Sequence, residues 1–147
     1  MTFNSHIVIG LILGAYTDHY SQSVLFSLLP DIDHLPSLLK HGLLKNPKKL
    51  LSTTLAENDQ HQDQRGILHN LAISLPVLTF IYFYFPNLRI FAIAIFFHLI
   101  LDMLDTAQYF PLSPNKKFSF KGFIKYNSFQ EVIFSIIISS LAIYCLP

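Results

Sequence analysis

Four apolar stretches mark the chain, at residues 7–29, 67–85, 88–104 and 132–146, with polar connections between them. The last three run 15 to 19 residues. That is just short of the roughly 20 that cross a bilayer as a helix, so flanking residues must complete each span. Pro86 and Asn87 separate the second from the third and predict a tight helical hairpin. The first stretch is interrupted by Tyr16, Thr17, Asp18, His19 and Tyr20. As one helix it would be about 33 Å long and would put His6 across the membrane from Asp31. It would also place a charge near mid-bilayer, at a cost of about 2.5–3.5 kcal/mol. Two half-length helices, over 3–16 and 23–30 with a turn at 17–22, avoid both problems and return His6 to the neighbourhood of Asp31. The pattern therefore predicts an all-α, polytopic helical membrane protein of four to five helices with a bent or paired N-terminal helix.

Composition sharpens this picture. The 147 residues suffice for one membrane-embedded domain, 52% are hydrophobic, 13% are charged, and the mean hydropathy is +0.44. A soluble domain dresses its surface with about a quarter charged residues, so much of this surface faces lipid. Nine of the 10 lysines and arginines fall in two connections, between the first and second stretches and between the third and fourth; Arg89 alone sits in the hairpin. The positive-inside rule makes those two connections cytoplasmic. A net charge of +1 gives no case for nucleic acid. The single cysteine, Cys145, excludes a disulfide or a thiolate zinc site within one chain. The start, MTFNSHIVIG, lacks the positive n-region and cleavage site of a secretory signal and reads as mature sequence. Between 35 and 54, leucine pairs alternate with lysines and break at Pro47. That fits short amphipathic helices on an anionic leaflet as well as an ordinary basic loop. Residues 56–64, AENDQHQDQ, read as a polar, solvated segment.

The candidate chemistry gathers at the ends of the apolar stretches. In HLILDMLDT, His98 and Asp102 stand four apart and share one helical face, with β-carbons about 5–6 Å apart, near enough to reach one ion. Asp105, seven from His98, extends that face. An ionisable pair inside an apolar helix marks a functional site or a hydrogen-bonded structural pair. LLPDIDHLP brings Asp31, Asp33 and His34 into four residues, the mixed carboxylate and imidazole chemistry of zinc or manganese sites. A helix-ending turn accounts for one such aspartate, not for all three residues. His6, after a Ser5 cap, and His69, four after Arg65, each begin an apolar helix. Taken alone, each is as well an interfacial anchor as a ligand. His19, His41 and His61 lie in loops or in the first turn and stand apart.

The order of four short motifs, SH at His6, PDIDH at 30–34, RGILH ending at His69 and HLILD from His98 to Asp102, resembles the membrane-bound metal-dependent hydrolase family, the YdjM-like bacterial inner-membrane proteins. The segment PLSPNKKFSF at 111–120 resembles the proline-containing piece before that family's final helix. The resemblance covers nearly the whole chain. It implies a multi-pass protein of the bacterial inner membrane, and it is distantly likened to zinc-dependent phospholipase C. It also implies one or two divalent metal ions, Zn²⁺ foremost, held among His6, Asp31, Asp33, His34, His69, His98 and Asp102. Catalytic roles fall to Asp31 or Asp33 as general base and to Arg65 toward a phosphate oxygen; the substrate is a lipid or phosphoester at the cytoplasmic interface. Gln64 stands where a histidine is usual, Asn70 where a serine is, and Asp105 where threonine or an apolar residue is common. Two other classes remain open at this level: a non-catalytic membrane protein with a structural His/Asp site, and an ion transporter using the carboxylates as relays.

Overall fold

Residues 7–29 do not run as one helix. The computed structural model, which describes residues 3–56, 66–112 and 115–145, breaks the stretch into α1 (Phe3–Thr17) and α2 (Tyr20–Leu28). The turn is tighter than the 17–22 expected, since only Asp18 and His19 leave the helices. Asp18 adopts a left-handed φ of 58°, and the Thr17 hydroxyl donates back to the Leu13 carbonyl at 2.7 Å. Two glycines let the arms close. A β-carbon on Gly10 would stand 2.6 Å from Val24 Cα, and one on Gly14 would stand 2.7 Å from Tyr20 Cα. Small residues four apart thus admit backbone-on-backbone packing between apolar helices.

A 3-10 turn, Leu29–His34, follows, and then the short helices α3 (Leu35–Lys40) and α4 (Pro47–Thr54). Pro47 sits at the first position of α4, where its missing N–H costs nothing, and the Asn46 side chain caps the helix by accepting from Lys49 N–H at 3.1 Å. Arg65 and the polar segment 57–64 lie outside the described residues. A second 3-10 turn, Ile67–His69, leads into α5 (Leu71–Tyr84), capped by Asn70 Oδ1, which accepts from Ala72 N–H at 2.9 Å. A 3-10 turn at Pro86–Leu88 makes the predicted hairpin to α6 (Arg89–Leu104), and α7 (Phe129–Tyr144) ends the fold. The seven α-helices among the described residues exceed the four to five expected, because the first stretch splits and the basic connection holds two short helices.

Helix α6 is the hub, packed by α1, α2 and α5. Leu78, Ala92, Ile95 and Leu99 form one apolar cluster between α5 and α6. Ile9, Leu101 and Ile124 form another, covered by Ile12, Leu13, Phe134 and Ile138. The outward faces are also apolar: Val77, Phe80 and Phe83 on α5 and Val132, Ile136 and Leu141 on α7 are exposed. A band of that kind suits lipid rather than water. Among the described residues, only the segment Pro86–Leu104 is long and apolar enough to cross a membrane by itself; Phe3–Thr17, Leu71–Tyr84 and Phe129–Tyr144 are shorter apolar helices.

The connection after α6 departs from expectation. Helix α6 ends at Leu104, and Asp105 turns into an extended conformation, so it does not continue the His98 face as the heptad spacing suggested. Its carboxylate accepts from Ala107 N–H at 2.8 Å and its carbonyl from Gly122 N–H at 2.7 Å. Isolated bridges join Asp105 to Ile124 and Tyr109 to Phe120, with no strand among the described residues. Gly122 passes so near α6 that a β-carbon there would meet the Leu104 carbonyl carbon at 2.1 Å. The result is a strap with Ala107, Tyr109 and Ile124 buried, not a loop free in solvent.

Candidate metal centre

Four elements bring the candidate residues to one end of α6. The first turn of α1 supplies His6, and the 3-10 turn after α2 supplies Asp31, Asp33 and His34. The turn before α5 supplies His69, and the last two turns of α6 supply His98 and Asp102. Closing the α1–α2 hairpin is what returns His6 to the side of Asp31.

The hydrogen bonds around the imidazoles orient their rings. His98 Nδ1 lies 2.7 Å from the carbonyl oxygen of Ser27. A carbonyl only accepts, so the His98 proton sits on Nδ1 and the Nε2 lone pair points into the cluster. His69 Nδ1 lies 3.4 Å from Asp33 Oδ2, which also accepts from Leu68 N–H at 2.6 Å. Carboxylates thus flank the His69 ring at 3.4 Å on both sides, Asp33 behind Nδ1 and Asp102 before Nε2. The two Nε2 atoms then face each other at 3.2 Å. Two lone pairs at that distance repel unless a cation or a proton lies between them.

The carboxylates complete the arrangement. Asp102 Oδ2 stands 3.4 Å from His69 Nε2 and 4.0 Å from His98 Nε2, and Asp102 Oδ1 stands 3.5 Å from His6 Nε2. Asp31 Oδ1 lies 3.6 Å from His98 Nε2 and 3.3 Å from His34 Nε2. The His6 ring stacks on His98 with centroids 3.8 Å apart. Three overlapping triads result, His6–Asp31–His98, Asp31–His34–His69 and His69–His98–Asp102, each with its donor atoms within 4.8 Å of one another. Tetrahedral zinc with arms of about 2.0–2.2 Å separates its donors by about 3.4 Å. The spacings of 3.2, 3.3, 3.4 and 3.6 Å bracket that edge. The donors are nitrogen and oxygen only, a set that suits zinc or manganese.

Burial divides the cluster. His6, His69, His98 and Asp102 are buried, while the Asp31 and His34 side chains keep 27% exposure and form its open edge. Neither ring nitrogen of His6 has a hydrogen-bond partner among the described residues, which is costly for a polar group at 1% exposure. Burial pushes the Asp31 carboxyl up. The hydrogen bond from His34 and the electrostatic pull of the neighbouring His98, His6 and His34 rings outweigh it and hold the group below its ordinary value. Burial likewise raises Asp33, but the hydrogen bonds from His69 and from Leu68 N–H bring it down.

Asp33 stands outside the three triads, behind His69. Gly66 packs against it so closely that a β-carbon there would lie 2.8 Å from Asp33 Oδ1. Arg65, just before Gly66, falls outside the described residues. Sequence reasoning did not single out Tyr109 or Glu131. The buried Tyr109 hydroxyl donates to the His69 carbonyl at 2.5 Å, and Leu71 N–H donates to the Pro111 carbonyl at 2.8 Å, so the strap holds the backbone that carries His69. No local pattern marks Tyr109. Glu131 stands three after Ser128, which reads as an ordinary helix-capping pair.

Neither a curated protein nor a solved structure matches the chain. The family model described as YdjM inner membrane protein matches residues 1–146. That match spans every element that builds the cluster, and the chain belongs to the YdjM inner membrane protein family.

Proposed function

We propose that the cluster holds a divalent metal, Zn²⁺ foremost, and that the protein is a metal-dependent hydrolase working at the cytoplasmic face of the inner membrane. The observation that carries this reading is the pair of Nε2 atoms on His69 and His98, 3.2 Å apart and flanked by Asp102 and Asp31. His6, His69, His98 and Asp102 would ligate from the buried side and His34 from the open edge, where Asp31 also stands. A metal bound there supplies a water whose pKa falls to about 7 and which therefore attacks at neutral pH.

The residues around the cluster take different parts. Asp33 holds the Nδ1 proton of His69 and so orients that ring, as carboxylates behind metal-bound histidines do. With Asp33 so engaged, the general-base role passes to the partly exposed Asp31. Arg65 keeps its proposed place opposite a phosphate oxygen of the substrate. Ile32, Leu35, Ile67 and Leu68 are exposed beside the open edge, an apolar collar suited to an amphiphile such as a lipid or lipid-linked phosphoester. In the membrane arrangement that fits, α5, α6 and α7 span and the α1–α2 hairpin enters and leaves on one side.

A structural site is the second reading, favoured by the near-complete burial of His6, His69, His98 and Asp102. The two separate by experiment: metal analysis of detergent-purified protein beside hydrolysis of phospholipid and phosphoester substrates. Bound zinc with turnover that His98→Ala and Asp102→Ala abolish supports the hydrolase. Stoichiometric metal without turnover across the panel supports the structural site. A wild-type protein that takes up no metal overturns both.

A further inference from the structure

We propose that Glu131 is a positioning residue of the metal centre, fixing His6 through the hydroxyl of Ser5; the inference rests on the metal-binding reading above. His98 and His69 each have Nδ1, the nitrogen turned away from the cluster, held by a partner, Ser27 and Asp33 respectively. His6 has no such tie, since neither of its ring nitrogens finds a hydrogen-bond partner among the described residues. Beyond the 3.5 Å approach of its Nε2 to Asp102 Oδ1, its orientation depends on stacking against His98 and on where the first turn of α1 sits.

Ser5 fixes that turn. It is 3% exposed, its hydroxyl donates to Glu131 Oε1, and it lies 3.4 Å from Ser135 Oγ. The other Glu131 oxygen accepts from Asn127 N–H at 2.9 Å, where Asn127 takes a left-handed φ of 48°. The carboxylate is thus anchored at the α7 start and grips α1 one residue before His6. Helix capping alone does not account for this. A capping glutamate reaches back along its own chain, whereas Oε1 crosses to another helix, and the Ser128 hydroxyl turns away to the Lys125 carbonyl at 2.5 Å. Beside the contact, α1 and α7 are parted by a groove of about 480 Å³ lined by Val8, Val132, Ser135, Ile136 and Ser139. At the far end Tyr16 donates to the Ala142 carbonyl at 3.0 Å. The Ser5–Glu131 contact therefore sets the depth of α1 at the cluster end. A ligand must be held within about 0.5 Å of its working position, so a small slip of α1 removes His6 from the donor set.

The test is a zinc titration against a competing chelator in detergent, on wild type, Glu131→Ala, Ser5→Ala, His6→Ala and the double variant Glu131→Ala/His6→Ala. Glu131→Ala and Ser5→Ala should each weaken zinc binding about 10-fold to 100-fold, the range for groups that orient metal ligands. The double variant should bind no more weakly than His6→Ala alone, because Glu131 acts through His6. Losses that add in the double variant overturn the proposal. So does a Glu131→Ala protein that melts lower when metal-free yet binds zinc as wild type does, which is the signature of a helix cap only. If Glu131→Ala does not fold, Ser5→Ala with His6→Ala runs the same cycle and leaves α7 intact. Wild type that takes up no zinc defeats the metal reading itself, whereas wild-type affinity in Ser5→Ala and Glu131→Ala defeats only the positioning role.

Discussion

His98 Nδ1 and the carbonyl oxygen of Ser27 lie 2.7 Å apart, joining the first residue of the HLILD motif on α6 to the last turn of α2. The bond uses one of the few backbone acceptors left open at a helix end. It also forces the His98 lone pair toward Asp31 and Asp102. The contact thus serves packing and ligation together.

Replacing His98 separates those two roles. His98→Ala should lose bound zinc and also leave the Ser27 carbonyl without its donor, at about 1–3 kcal/mol of stability. His98→Gln keeps a donor within reach of that carbonyl. It should recover part of the melting temperature without recovering metal. Thermal unfolding in detergent with metal analysis of both variants checks this.

The glycine crossing gives a second prediction. Gly10→Val puts a side chain where Val24 Cα stands 2.6 Å from the would-be β-carbon, so the α1–α2 hairpin must open. Overpacking of this kind costs about 1–3 kcal/mol. Because His6 rides on one arm and Asp31 follows the other, zinc affinity should fall with the melting temperature. The comparison is Gly42→Ala, at a position with open space but a left-handed φ of 64°, which should cost stability and spare zinc.

Tyr109→Phe removes a single buried hydroxyl that donates to the His69 carbonyl. A net loss of about 1 kcal/mol in unfolding free energy is expected, as for one intramolecular hydrogen bond. The strap should stay closed, since its Tyr109–Phe120 bridge is made by backbone groups. Amide exchange of residues 105–124 should therefore stay near wild type.

Topology can be tested with thiol reagents in a Cys145→Ser background, because Cys145 is exposed and is the only native thiol. A cysteine at Lys45 or Lys121, both exposed, should react only when the cytoplasmic face is accessible. One at Asn87, in the exposed turn between α5 and α6, should react from outside. Labelling of position 45 from outside alone would reverse the proposed orientation.

The sequence by itself determined the helical elements and the residue types of the cluster. Apolar runs bounded by Pro86 and the basic connections are local signals, and so is the four-residue spacing of His98 and Asp102. Both follow from helix periodicity and need no knowledge of neighbours. The break at Asp18 was also legible, because a charged residue in mid-run argues against one long span. What sequence periodicity misjudged begins where the helix stops. Asp105 is on the His98 face only if α6 continues, and its capture of Ala107 and Gly122 ends the helix at Leu104. The roles of Asp33, Tyr109 and Glu131 came only from tertiary structure. Each acts on a residue far away in the chain, His69 from 36 and 40 residues off and Ser5 from 126. Such contacts leave no period in the sequence. They are set by how closely Gly10, Gly14 and Gly122 let the backbones approach, and that distance exists only once the chain has folded.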